Sequence, residues 1–176
     1  MRAVRPISLA LVLVLVVPLS ACSGQPGPQA WAALVCGALN PWRSEIDTLT
    51  SRTQQQMTTK TTPAQAKENL ARLFGGAATA SEEARRHVER AGVPDVDHGD
   101  EIAEGFVGSL AGIRDAYGHA RSGIEALATA PAKTFYAEVD RVVQRLTTEY
   151  EQSSLDTKNL ESVELRQAFD SLPECQ

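Results

Sequence analysis

Apolar residues return at helical spacing over almost the whole chain. The clearest case is Ile102, Phe106, Leu110, Ile113, Tyr117, Ala120, Ile124 and Leu127, which step by 4, 4, 3, 4, 3, 4 and 3. At 3.6 residues per turn these positions form one apolar stripe about seven turns long. Upstream, Ala66, Leu70, Leu73, Ala77, Ala84, Val88 and Ala91 form a second stripe. Its start is marked by Thr62 as N-cap, Pro63 in the first turn and Gln65 completing a capping box. Gly92-Val93-Pro94 marks its end. Phe135, Val139, Val142, Leu146 and Tyr150 predict a further helix after Ala130-Pro131, and the segment QSSLDTKN interrupts the pattern beyond it. Leu165, Ala168, Phe169 and Leu172 predict a short last helix.

Nearer the N-terminus a short helix is expected over about 29–39. Asn40-Pro41 reads as a cap and first position, starting a separate helix that carries Trp42, Ile46 and Leu49. Short connections between long helices imply antiparallel neighbours. The expected fold is therefore all-α: an antiparallel up-down four-helix bundle with a short C-terminal helix, occupying residues 30–176.

The first 29 residues do not belong to that pattern. Arg2 and Arg5 precede an apolar run from Ile7 to Val17, broken only by Ser8. The run is too short for a bilayer span, which takes about 20 residues, and has the layout of a secretory signal. Leu19-Ser20-Ala21-Cys22 resembles the bacterial lipobox. That resemblance implies a signal peptide over 1–21 and diacylglycerol on the Cys22 thiol. Two or more acyl chains give stable attachment to a membrane. The segment SGQPGPQ after Cys22 reads as a flexible tether, so residues 22–29 are expected to link lipid and domain.

Export changes the charge balance. Removing residues 1–21 takes Arg2 and Arg5 from the 17 basic residues, leaving 15 against 22 acidic, a net charge of −7. Such a domain has no electrostatic footprint for nucleic acid. No polybasic cluster would bind anionic lipid, so the expected membrane contact is the acyl group alone. With Cys22 acylated, Cys36 and Cys175 remain as an even pair in an oxidising compartment, and a disulfide between them is expected.

Candidate chemistry is sparse. Gly105, Ser109, Gly112, Ala116 and Gly123 fall on one strip of the long helix, roughly 90° from its apolar stripe. The strip is either a close helix contact or a groove where a ligand meets bare backbone. PDVDHGDE over 94–101 gathers Asp95, Asp97, His98, Asp100 and Glu101, but Gly99, Asp100 and Phe106 occupy the positions where a calcium loop needs other residues. It reads instead as a helix start capped by Asp97. His87 and His119 follow Ala84 and Ala116 by three, so the Glu-x-x-His pair of di-iron bundles is missing. Neither a metal nor a cofactor is expected. SEEARRHVER pairs Glu82 with Arg86 and Arg85 with Glu89 on one helix face.

The lipobox LSAC, Trp31 five residues before Cys36, LNPW and the closing LPEC together resemble small secreted lipoproteins of actinobacteria. The resemblance implies an anchored extracytoplasmic domain and no particular activity. Two functions fit these residues. One is a non-enzymatic module that binds a protein or small molecule at the outer face of the cell membrane. The other is a cell-envelope enzyme using helix-borne carboxylates such as Glu101, Glu104 or Asp115, which needs two of them across a cleft roughly 5 to 10 Å apart.

Overall fold

A computed structural model describes residues 24–153 and 160–176. Cys22 and the apolar run before it lie outside the described residues. The described chain is helical with no strand: α1 Pro28–Gln56, α2 Pro63–Arg90, α3 Gly99–Ala126, α4 Ala132–Ser153 and α5 Val163–Ser171, closed by a 3-10 turn over Pro173–Cys175.

α1 departs from the sequence pattern, because it is one helix of 29 residues with Pro41 inside it. A proline there removes one helical hydrogen bond and crowds the carbonyl four residues back, at a cost of about 3 kcal/mol. Packing on both sides offsets that cost. Trp31, Ala32, Val35, Cys36, Ala38 and Leu39 are buried before Pro41, and Thr53 after it. Asn40 is no cap, since its side-chain amide donates to the carbonyl of Glu174 in the C-terminal turn.

The start of α2 is as expected, with Thr62 and Gln65 making both bonds of the capping box. Gly92 takes the left-handed conformation after that helix, at φ 72°. The expected Asp97 cap of α3 is not found. His98 holds the cap position, also left-handed at φ 56°, with no side-chain cap bond, and α3 starts at Gly99. A β-carbon on Gly99 would lie 2.2 Å from the carbonyl oxygen of Pro94, so the turn admits glycine alone. Asp100 and Glu101 sit in the first turn of α3, where they favour its dipole.

Side-chain contacts give the directions. Trp42 meets Ser81 and Leu49 meets Gly76. Arg114 meets Glu82, and Lys67 reaches the carbonyl of Leu127. Tyr117 meets Tyr150, and Gly123 faces Val142. Thus α1 and α2, α2 and α3, and α3 and α4 are antiparallel pairs. α1 and α4 have no Cα pair within 8 Å, and α1 instead carries α5 and the C-terminal turn.

Two cores result. At one end Trp31, Val35, Val88, Phe106, Leu165 and Phe169 pack together. Trp31 and Phe106 meet edge to face at 5.1 Å, and Phe106 stacks on Phe169 at 5.7 Å. At the other end Ala66, Phe74, Ala120, Ile124, Phe135 and Val139 form a second cluster. Cys36 and Cys175 are disulfide-bonded with their Cα atoms 5.1 Å apart, fastening the C-terminal turn to α1.

Candidate functional site

The middle of α2 reads Gly75-Gly76-Ala77-Ala78-Thr79-Ala80. Six small residues in succession leave the helix without a ridge on the side facing away from the core. The gap is a surface groove of about 730 Å3. Gly75, Gly76 and Ala80 of α2 and Gly37 and Ala38 of α1 line its base, with Pro41 and Trp42 forming a wall. Charged residues of both signs stand around it: Glu45 from α1, Arg72, Glu83 and His87 from α2, and Arg121 and Glu125 from α3.

Three details equip this groove for contact. Trp42 is held in place because its indole nitrogen donates to the Ser81 hydroxyl at 3.0 Å, and that hydroxyl donates to the carbonyl of Ala77. Pro41 has no amide proton, so the carbonyl of Gly37, four residues back, lacks its usual helical donor beside the groove. The space above Gly37 is open, with no atom within 4 Å of where a β-carbon would stand. Toward the α2–α3 connection the groove continues into a smaller hollow of about 330 Å3, lined by Leu34, Gly37, His87 and Arg90 among others.

The glycine strip expected on α3 lies elsewhere, along the contact with α4. Ser109 donates its hydroxyl proton to the Ser153 carbonyl. A β-carbon on Gly123 would stand 3.1 Å from a Val142 methyl. Ala116 is buried, and Gly105 is exposed. At Gly112 and Gly123, side chains of α4 fill the space a ligand would need, and at Ser109 the α4 backbone does.

None of the carboxylates named for catalysis lines the groove. Glu101 pairs with His98 at 3.6 Å, Asp115 pairs with Arg114 at 2.8 Å, and Glu104 is exposed. Glu82 is the more developed acid. It takes Arg86 as the sequence suggests, and also Arg85 and, across from α3, Arg114, each at 2.8 to 2.9 Å. Hydrogen bonds from Arg85 and Arg114 hold its carboxyl well below the usual carboxylate range. An acid so stabilised in its charged form is a joint between α2 and α3 and a poor proton donor. Glu149 is lowered in the same way, first by His119 and then by Arg145. Burial pushes the Tyr117 hydroxyl up to about 12, with Tyr150 adding to the effect.

Among the described residues no group of three or more His, Cys, Asp or Glu side chains is placed to hold a metal ion. No described helix is long and apolar enough to cross a membrane. Comparison of the chain with protein-family models, with curated proteins and with solved structures finds no match.

The groove is not marked by the second apolar stripe, which takes only Ala77 from the segment Gly75 to Ala80. The available signal was the run itself. Six adjacent small residues cover a full helical circumference, so some must face outward.

Proposed function

We propose that the protein is a lipoprotein held by Cys22 at the outer face of the bacterial cell membrane, and that it is a non-enzymatic binding module using the groove over α2. The fold behind it is read as an up-down bundle, supported by the antiparallel pairs from α1 to α4. The observation that carries the functional proposal is the groove itself. It combines an apolar base and a pinned indole within a rim of mixed charge, the makeup of a contact site for an amphipathic ligand. The unknown occupant is a protein segment or a small molecule. The enzymatic alternative rests on Glu101, Glu104 and Asp115, none of which lines the groove.

The test is native mass spectrometry of the lipidated protein, gently extracted from its own membranes, alongside a Gly37→Leu variant. Leucine there meets open space and improves helix propensity by about 1 kcal/mol, so the fold is retained while the groove is obstructed. An added mass on the wild type that is lost from the variant is expected. An added mass that survives in the variant removes the groove from the proposal. A wild type that carries only its lipid argues against stable binding.

A further inference from the structure

We propose that the end of the domain formed by the α2–α3 connection and the first turns of α1 faces the phospholipid bilayer, a proposal that rests on Cys22 bearing the lipid. The chain does not leave the domain freely. The carbonyl of Pro26 accepts a hydrogen bond from the Asp95 amide at 2.9 Å, and α1 begins two residues later. One turn into α1, the Trp31 indole nitrogen donates to the Gly92 carbonyl at 2.8 Å. Trp31 is fully buried, so this fastening belongs to the core. The described chain is thus fixed to the α2–α3 connection from Pro26 onward, and half of the expected tether, residues 26–29, is taken up.

The remaining reach is short. Four peptide units separate Cys22 from Pro26, which span at most about 14 Å. α1 is about 44 Å long at 1.5 Å per residue. The α2–α3 connection therefore stays near the lipid, while the α1–α2 connection stands a helix length away. A domain tethered by its end cannot turn that end outward on so short a leash.

On an anionic bilayer charge opposes this arrangement, and the anchor overrides it. Asp95, Asp97, Asp100 and Glu101 are exposed at the near end, and Lys60, Lys67 and Lys133 lie at the far end. An anionic bilayer would favour the reverse orientation. Its field is screened over about 8 Å at physiological salt, however, so the lysines feel little of it from a helix length away. The acidic end is held near lipid by the anchor and has no affinity of its own. Leu34, 54% exposed, then stands about 9 Å along α1 from Pro28, where the hollow that continues the groove opens near the headgroups.

The test uses the full-length lipidated protein in phosphatidylcholine vesicles whose headgroups carry a fluorescence quencher. A dye is attached to Asp97→Cys in one sample and to Lys60→Cys in another, under conditions that leave Cys36–Cys175 oxidised. Both positions are exposed, at opposite ends. Quenching several-fold stronger at 97 than at 60 is expected, and unchanged by adding anionic lipid at physiological salt. Equal quenching, or stronger quenching at 60, overturns the proposal. The intact mass separates the two levels: protein without the added lipid removes anchor and surface together, whereas lipidated protein with equal quenching removes only the surface.

Discussion

A β-carbon on Gly112 would lie 2.4 Å from the Ser153 hydroxyl oxygen and 2.8 Å from the Ser153 β-carbon. This contact sets how closely the end of α4 lies on α3. Gly112→Leu is expected to lower stability by about 1 to 3 kcal/mol, the usual effect of overpacking. Gly108 on the same helix is exposed and has open space at its β-carbon position. Gly108→Ala is expected to raise stability by roughly 0.5 to 1 kcal/mol. Urea titrations of the two variants check both signs, and a Gly112→Leu protein as stable as wild type would refute the close-packing account.

Joining Cys36 to Cys175 closes a loop with a sequence separation of 139. In the chain-entropy model that loop is worth about 5 kcal/mol at most. Replacing both cysteines by alanine is expected to cost about 2 to 5 kcal/mol. Titration of the unreduced, denatured wild type should find neither thiol free.

Tyr117 couples stability to alkaline pH. Its hydroxyl ionises near 10 in the unfolded chain and is pushed up to about 12 in the fold. Its contribution is complete below pH 10 and is lost as pH rises toward 12. Tyr117→Phe should flatten the stability profile over that interval. An ultraviolet tyrosinate titration should show one fewer late-ionising group.

Glu82 acts at the opposite extreme. Its carboxyl is held well below its ordinary value of 4.5, so its contribution is present at neutral pH and fades as acid protonates it in the fold. Glu82→Gln should lower stability at neutral pH, and the gap to wild type should narrow as pH falls below 4.5. Thermal unfolding at a series of pH values measures that gap. A constant difference from pH 7 to pH 2 would contradict the ion-pair account.

The helices themselves were legible in the sequence, because periodicity and caps such as Thr62 with Gln65 are local signals. Where a local signal was ambiguous, tertiary structure decided. Asn-Pro is a good helix start in isolation, yet at Asn40-Pro41 the apolar stripe continues on both sides and the C-terminal turn occupies the asparagine side chain. Asp97 has the chemistry of a cap, but the tight turn that Gly99 makes beneath Pro94 moves the helix start past it. The glycines of α3 drew attention as a possible site, and their meaning depended on α4 lying over them. The groove over α2 depends on which small residues face away from the core, and periodicity alone does not distinguish those from small residues that face it.

The bond between Cys36 and Cys175 also sets a force path. Tension applied between the N-terminal attachment and the C-terminus runs through residues 24–36, crosses the disulfide and leaves at Gln176. Residues 37–174, including most of α1 and all of α2, α3 and α4, lie outside that covalent route and are loaded only through their contacts with it. A protein tethered to a surface and pulled by its tail would keep its groove intact, and would yield first where Pro26 and Trp31 hold the α2–α3 connection.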